Sequence, residues 1–403
     1  MKRLISCVFA LLYVMIGFAS GTWILHGKEY RVDTLYHAYI GPGTTQTSIK
    51  LAGPVNLRVF YTTTDLKNEN VDVRAIKHKD TLTGLGTVSN AAESHSTSNR
   101  SYFAGINADF FSSSMPCGIT VVDGEVYCSD QASGWSLFGI DANKIPYSGG
   151  GDFYVKLTAP DYSTAELSAM NLERETNGLV LYSSRKGANT GTDSNGSEVV
   201  LVPDGEGNFL TPGATVRMRV QGNPSHAGSM PIPDNGYILS GSGTKESFVS
   251  NLSEGDVVEV RCAIRFNGFT GGKIQQALGG CPMLVSGGKV LDTENALDHL
   301  TSAQPRTAVG YNAEKNKLVM LVADGRSSIS VGPISKVLAD IMIYAGCSEA
   351  MNFDGGGSST FYVKGEGVIN QPSDGSERSV TDGLYLSTDA PQNDVTITTI
   401  RFM

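Results

Sequence analysis

The sequence predicts an α+β fold, with a β-rich mixed-sheet core, few helices and one βαβ-like unit at residues 318–354. Three observations support this. The 403 residues include 47 glycines, which implies many tight turns. Short runs that alternate apolar and polar residues, the period of a half-buried strand, recur along the chain, as at 57–62 and 256–266. A single stretch, 334–345, has clear helical spacing instead.

The βαβ-like unit depends on that helical stretch. Its apolar residues recur three or four positions apart, the spacing of one helix face: Ile334, Val337, Leu338, Ile341, Met342 and Ala345. Pro333 suits the first helical turn, and Gly346 suits the C-terminal cap. Apolar strands flank the helix, and 306–311 with 317–323 predict a hairpin. If the two flanking strands are parallel neighbours, the loops 324–330 and 354–360 lie side by side, where ligands bind in such units.

Residues 1–20 are predicted to be a secretory signal peptide. Lys2 and Arg3 precede an apolar run at 4–18, and small residues follow it. The run is short for a membrane span, which needs about 20 residues. We therefore expect a secreted, periplasmic or other extracytoplasmic protein without a membrane span after signal removal.

Composition bears on partners and cofactors. The formal net charge is −9, and no stretch clusters Lys and Arg, so nucleic acid is not an expected partner. Neither a CxxC pair nor an HExxH motif is present, so no metal and no cofactor are predicted. Cys117 and Cys128 flank a predicted hairpin, which leaves a disulfide and two free thiols as open alternatives. The cysteines at 262, 281 and 347 are predicted to be buried thiols.

The rest of the chain divides by composition. Residues 21–96 read as an N-terminal β-rich region, and 148–245 as a turn-rich region of variable or inserted β-structure. Residues 389–403 are predicted to be a C-terminal tail.

The sharpest motif is Asp-Gly-Gly-Gly-Ser-Ser-Thr at 354–360. Gly355, Gly356 and Gly357 free the backbone to aim successive N–H groups into one concavity, and such nests bind anions. The hydroxyls of Ser358 and Ser359 add donors. Asp354 is a candidate nucleophile, base or electrostatic stabiliser. A plain glycine-rich turn is the alternative, and a nucleotide P-loop is not expected because the Gly-Lys-Ser/Thr ending is missing.

Arginines supply the second signal. Arg326 lies in Asp324-Gly325-Arg326, and its planar cation suits phosphate oxygens. Arg306 and Arg378 are candidates to converge on the same site, the alternative being ordinary solvated side chains. Asn107 and Asp109 follow a predicted strand and are also candidates, with an Asx turn as the alternative.

Five motifs then occur in a fixed order: 105–111 (Gly-Ile-Asn-Ala-Asp-Phe-Phe), 277–282 (Ala-Leu-Gly-Gly-Cys-Pro), 306–310 (Arg-Thr-Ala-Val-Gly), 323–326 (Ala-Asp-Gly-Arg) and 352–360. Together, the five motifs resemble those of the phosphodiester glycosidase family. This resemblance predicts a domain at 97–388. The resemblance implies hydrolysis of a sugar-1-phosphodiester, such as an N-acetylglucosamine-1-phosphodiester.

The resemblance maps the family's asparagine, aspartates and arginines onto Asn107, Asp324, Asp354, Arg306 and Arg326. Many relatives have two glycines where this chain has Ala108 and Asp109. The role of Asp109 is therefore open.

The predicted reaction cleaves the anomeric C–O bond and releases a sugar and a phosphomonoester. Asp354 is expected to stabilise or attack the oxocarbenium-like centre, and Asp324 to position water or act as base. Two alternatives stay open. One is a metal-dependent phosphodiesterase with its metal on Asp109, Asp324 and Asp354, and the other is a non-catalytic module that binds phosphoglycans.

Overall fold

The computed structural model describes residues 21–130, 134–205, 210–266, 269, 271–292 and 301–390. The predicted signal peptide, residues 1–20, lies outside the described residues, as does the predicted tail beyond residue 390. In the described part of the chain, no helix is long and apolar enough to cross a membrane.

Strands dominate the chain. The first ten are β1 Gly21–Leu25, β2 Lys28–Gly41, β3 Thr44–Ala52, β4 Asn56–Asp65, β5 Asp72–Lys77, β6 Ser101–Asn107, β7 Phe111–Ser112, β8 Met115–Pro116, β9 Thr120–Val122 and β10 Glu125–Cys128. The next ten are β11 Ser136–Asp141, β12 Pro146–Gly149, β13 Gly151–Thr158, β14 Thr164–Glu166, β15 Ala169–Met170, β16 Leu179–Tyr182, β17 Ser197–Pro203, β18 Thr215–Ser225, β19 Tyr237–Gly241 and β20 Val257–Phe266.

The last nine strands hold most of the motifs: β21 Ile274–Gly280, β22 Met283–Ser286, β23 Lys289–Val290, β24 Arg306–Tyr311, β25 Lys317–Ala323, β26 Glu349–Asn352, β27 Phe361–Val363, β28 Gly367–Val368 and β29 Asp382–Thr388. The α-helices of the described residues are α1 Val88–His95, α2 Glu246–Ser250 and α3 Ser335–Tyr344. With 48% strand and 9% helix, the predicted α+β, β-rich class is confirmed.

A nine-stranded sheet, in the order β1-β2-β3-β4-β25-β24-β26-β22-β23, forms the centre of the molecule. Strand β25 shows why it is central, because side chains alternate across a strand and both of its faces are buried. Val319 and Leu321 belong to the cluster that contains Leu338 and Ile341 of α3. Met320, on the other face, joins a second cluster.

That second cluster joins the large sheet to a five-stranded sheet, β28-β27-β6-β29-β5. Ile106 of β6 and Leu384 of β29 pack there against Met320 and Val322. The end of β6, which carries Asn107, is thereby brought against the ends of the strands in the large sheet.

The predicted βαβ-like unit is present with one difference. Strands β25 and β26 are each antiparallel to β24, so they run in the same direction, and α3 connects them. They are not neighbours, however, because β24 lies between them. The predicted hairpin explains this: β24 and β25 are joined by a short turn, and that local pairing occupies the edge of β25 that β26 would need.

The region 148–245 contributes to an eight-stranded sheet, β14-β13-β20-β18-β17-β19-β16-β15. Its core is shared with the five-stranded sheet β10-β9-β21-β11-β12. All five described cysteines are free, so Cys117 and Cys128 form no disulfide, while Cys262, Cys281 and Cys347 are buried as predicted.

Candidate active site

Strand direction gathers the predicted site at one edge of the nine-stranded sheet. Asp324 follows the last residue of β25, and Asp354 follows β26 by two residues. Arg306 is the first residue of β24, which runs the opposite way between them. The two strand ends and the one strand start therefore meet at the same edge.

A cavity of about 340 Å³ opens at this edge. It is lined by Phe110, Gln304, Arg306, Arg326, Asp354, Gly355, Gly356, Gly357 and Arg378. The three predicted arginines, the three glycines and Asp354 thus meet in one pocket. The remaining predicted residues are not part of its lining: Asp324, Asn107, Asp109, Ser358 and Ser359.

Three guanidinium groups give the cavity its charge. Arg306 is 2% exposed, and its Nη2 donates to the carbonyl of Ser302 at 2.8 Å. Burial, and secondarily the nearby Arg326 cation, lower the pKa of Arg306 to about 10, which still leaves it protonated at neutral pH. Arg326 is exposed, and its Nε donates to Gln304 Oε1 at 2.7 Å.

Arg378 is held differently from the other two. Its side chain forms an ion pair with Asp374 four residues earlier, at 2.6 Å. Its Nη1 also lies 3.5 Å from the Ser358 hydroxyl. Arg378 is thus partly neutralised, whereas Arg326 has no ion pair within the described residues.

Asp354 is the carboxylate of the cavity lining. Its N–H donates to the carbonyl of Ala108 at 2.8 Å, and its own carbonyl accepts from Asn107 Nδ2 at 2.7 Å. Burial raises the pKa of Asp354 to about 6, although hydrogen bonds from Ser358 and the Gly355 N–H and the charge of Arg378 oppose the rise. The group is thus largely ionised at neutral pH.

Three N–H groups of the glycine loop are used within the protein. The N–H of Gly356 donates to Pro305 O at 2.9 Å, and those of Ser358 and Ser359 donate to the carbonyls of Gly355 and Gly356 at 3.2 and 3.3 Å. The 3₁₀ turn at Gly356–Ser358 accounts for the last two bonds. These three amides do not join the expected anion nest, so we expect the guanidiniums to be the main anion donors of the cavity.

The glycines serve close approach instead. Gly356 has φ +60, and a Cβ there would lie 3.0 Å from Arg326 Nη2. A Cβ on Gly357 would collide with the Arg378 guanidinium and the Asp374 carboxylate. Any larger residue would displace the two cations from the loop.

The Asn107 side chain is buried behind the glycine loop and forms three hydrogen bonds there. Besides donating to Asp354, its Oδ1 accepts from Thr307 Oγ1 at 2.8 Å and from the Thr360 N–H at 3.1 Å. Thr307 Oγ1 also lies 3.3 Å from Ser359 Oγ. Asn107 and Ser359 therefore hold the two ends of the glycine loop and do not face the cavity.

Asp324 is likewise occupied below the cavity. Its Oδ1 accepts from the Gln371 N–H at 2.8 Å, and its carbonyl accepts from Ser330 Oγ at 2.7 Å. Burial raises the pKa of Asp324, while the bonds from Gln371 and Asn370 oppose the rise. The expected role of Asp324 as a water-positioning base is not supported by this placement.

Asp109 belongs to a buried carboxylate pair. Its N–H donates to Asp382 Oδ1 at 2.9 Å, and its Oδ2 accepts from the Gly118 N–H at 2.8 Å. Burial, followed by the neighbouring Asp382 carboxyl, raises the pKa of Asp109 well above its ordinary value. Burial also raises the pKa of Asp382, and the charge of Lys77 opposes that rise.

The motif at 105–111 contains Phe110 but does not indicate a role for it, and Gln304 and Asp382 lie outside every motif. Phe110 follows the predicted Asn107–Asp109 pair directly, so its position was a usable signal. Gln304 lies in a loop, and Asp382 is the fully buried first residue of β29. The three carboxylates of the metal alternative do not come together, and the described residues hold no group of three or more His, Cys, Asp or Glu side chains able to bind a metal ion.

Comparisons with known proteins find one matching family and one curated relative. Residues 213–387 match the model of the phosphodiester glycosidase family. A stretch of 88 residues is 40% identical to the SPbeta prophage-derived uncharacterized protein YomE of Bacillus subtilis (strain 168), and covers 22% of this chain and 13% of that protein. The chain thus corresponds to a small part of that relative.

Two solved structures share the fold. A hypothetical protein from Synechocystis has a TM-score of 0.65 at 16% identity, over 86% of this chain and 62% of that one. A candidate exported protein from Burkholderia pseudomallei K96243 has a TM-score of 0.65 at 18% identity, over 92% of this chain and 99% of that one.

Proposed function

We propose that this chain, of which residues 213–387 match the phosphodiester glycosidase family, hydrolyses a sugar-1-phosphodiester at the anomeric C–O bond and releases a sugar and a phosphomonoester. One observation supports this above the others. Three guanidiniums and one carboxylate line a single small cavity. An anion with an adjacent electron-poor carbon is complementary to that lining.

The arginines bind and activate the phosphate. Guanidinium groups form charge-assisted hydrogen bonds with phosphate oxygens. When the bond between the anomeric carbon and the phosphate oxygen breaks, its electron pair stays on that oxygen. Arg306, Arg326 and Arg378 stabilise the added charge, so the step has little need of a general acid.

Asp354 acts at the anomeric carbon. Its ionised carboxylate stabilises the positive charge that develops there as the phosphate leaves. Water then bonds to the carbon through its oxygen and passes a proton to Asp354, and the proton leaves to solvent. The products are the free sugar and a phosphomonoester.

The other predicted catalytic residues have positioning roles in this proposal. Asn107 fixes the loop that carries Asp354, Asp324 fixes the segment around residues 370 and 371, and Asp109 fixes the turn that receives the Asp354 N–H. The paired-carboxylate mechanism expected from the sequence is thereby replaced by one carboxylate and three cations.

We place the reaction outside the cytoplasm. The predicted signal peptide supports this, and so does the candidate export of the Burkholderia protein with the same fold. The substrate would then be a phosphodiester-linked sugar on a secreted or envelope molecule.

The test is turnover of a panel of methyl glycosyl-phosphodiesters that differ in the sugar, followed by release of methyl phosphate. The wild-type protein should turn over at least one member, with and without EDTA. Asp354→Asn should lose about 10³-fold or more in kcat, while the exposed control Asp161→Asn keeps the wild-type rate. Binding without turnover by the wild type would establish the non-catalytic alternative, and loss of activity in EDTA the metal-dependent one.

A further inference from the structure

The lining of the cavity is divided by chemistry. Its charged part consists of Arg306, Arg326, Arg378 and Asp354. Among the described residues that line it, Phe110 supplies the only aromatic side chain. Phosphate binding requires the cations but gives no reason for a partly buried aromatic ring beside them.

Contacts restrain both the ring and the backbone of Phe110. Trp135 contacts the ring edge-to-face, with ring centroids 5.0 Å apart and an interplanar angle of 67°. The Phe110 carbonyl accepts from the Cys117 N–H at 2.9 Å. The backbone bond restrains the position of the residue, and the Trp135 contact restrains its ring, which favours packing of a ligand against that ring.

The ring is also coupled to the reacting carboxylate. Ala108, two residues before Phe110, accepts the hydrogen bond from the Asp354 N–H. Asp109, between them, is anchored by Asp382 and Gly118. One short, tightly bonded turn therefore sets the distance from the aromatic ring to Asp354.

We propose that Phe110, supported by Trp135, is the wall against which the sugar ring of the substrate packs. This inference rests on the function proposed above and assigns recognition of the sugar to Phe110. A pyranose has an apolar face of C–H groups, which an aromatic ring covers well. With the phosphate on the arginines and the ring on Phe110, the anomeric carbon lies between them, beside Asp354.

The size of the cavity agrees with this arrangement. Its volume is about 340 Å³, near the lower end of the roughly 300–1,000 Å³ of small-molecule sites. That space suits one sugar ring with its phosphate.

The experiment compares two phosphomonoesters by calorimetry, glucose 1-phosphate and methyl phosphate, which carry the same charge. In the wild-type protein glucose 1-phosphate should bind about tenfold more tightly, because only it covers the Phe110 ring. Phe110→Ala should remove that preference and leave the affinity for methyl phosphate unchanged. The control Tyr162→Ala, an exposed aromatic residue, should keep the preference.

Phe110→Leu protects the test against a folding defect, because it keeps the apolar bulk and removes the flat ring. It should also lose most of the preference. If either folded variant keeps the tenfold preference, or the wild type shows none, the sugar wall is wrong while phosphate binding still supports the proposed function. If the wild type binds neither ligand, the anion pocket and the wall both fail.

Discussion

At the scale of single residues, Asp354 determines how the site behaves with pH. Its folded-state pKa of about 6 lies above the ordinary value of 3.8 because burial disfavours the charged form. A raised carboxyl pKa means that the folded protein binds the proton more tightly than the unfolded chain. The carboxyl therefore costs no stability below about pH 4, and its cost grows to a maximum above about pH 6.

Asp354→Asn should therefore stabilise the protein at pH 8 and not at pH 4. The expected gain is on the order of 2 kcal/mol at pH 8, since the neutral amide avoids the cost of burying a charge. Urea unfolding of both proteins at the two pH values measures this. An equal effect at both pH values would show that the carboxyl does not titrate as described.

The same titration predicts the pH dependence of the wild-type reaction. Because the ionised form is the active one, kcat/KM, which reports the free enzyme, should rise about tenfold per pH unit below about pH 6 and level off above it. A pH–rate profile measures the midpoint. A rate that falls as the pH rises through 6 would assign Asp354 the opposite role, that of a general acid.

The glycines of the loop make separate predictions. The three atoms nearest to a Cβ on Gly357 belong to the flexible ends of Arg378 and Asp374, whereas a Cβ on Gly355 would lie 2.7 Å from the backbone carbonyl of Pro305. Gly357→Ala should thus displace Arg378 and weaken phosphate binding about tenfold with little change in stability. Gly355→Ala should lower stability by about 1–3 kcal/mol, and a reversed pattern would contradict the geometry.

At the scale of elements, the ends of β24, β25, β26 and β6 make the site, and Asn107 links them. Its side chain bonds to Asp354, Thr307 and Thr360, and it is fully buried. Asn107→Ala would leave three polar groups without that partner. We expect a loss of about 2–4 kcal/mol in the free energy of unfolding, measured in urea.

Asn107→Asp keeps the shape but removes the amide donor to the Asp354 carbonyl, so it is the matched variant. It should lose activity at a pH where the new carboxyl is ionised, because a carboxylate cannot donate a hydrogen bond to the Asp354 carbonyl. Wild-type activity in either variant would show that the loop is held in place without Asn107.

Much of this element-level arrangement could be predicted from the sequence. The helical spacing at 334–345 predicted α3, Ser335–Tyr344, and the runs 306–311 and 317–323 predicted the β24–β25 hairpin. The position of β24 between β25 and β26 could not be read, because strand order depends on pairings between distant segments. The hydrogen-bond partners of the loop N–H groups could not be predicted either, because a triple glycine permits both an open nest and a closed 3₁₀ turn.

At the scale of the whole molecule, the N-terminal region supports the site. Strand β4 pairs with β25 along its length, and the Asp324 N–H donates to the Arg58 carbonyl at 3.0 Å. The Arg58 N–H in turn donates to Ser330 Oγ at 3.0 Å. Composition alone did not indicate a role for residues 21–96, because the pairing of β4 with β25 appears only when the sheet is assembled.

A chain that begins at residue 97, the predicted domain boundary, should therefore not fold stably. Loss of residues 21–96 would expose the edge of β25, which pairs with β4, and the edge of β29, which pairs with β5. It would also expose the apolar faces that these N-terminal strands cover. Size-exclusion chromatography and circular dichroism would detect aggregation or loss of structure. A monomeric, folded fragment would support 97–388 as an independent domain.

The account as a whole depends on which bond is cleaved, and hydrolysis in ¹⁸O-labelled water tests this most directly. Mass spectrometry of the two products after turnover of a methyl glycosyl-phosphodiester locates the label. We predict ¹⁸O in the released sugar and none in methyl phosphate, because water attacks the anomeric carbon beside Asp354. Label in the methyl phosphate would mean cleavage of the P–O bond and would contradict the mechanism.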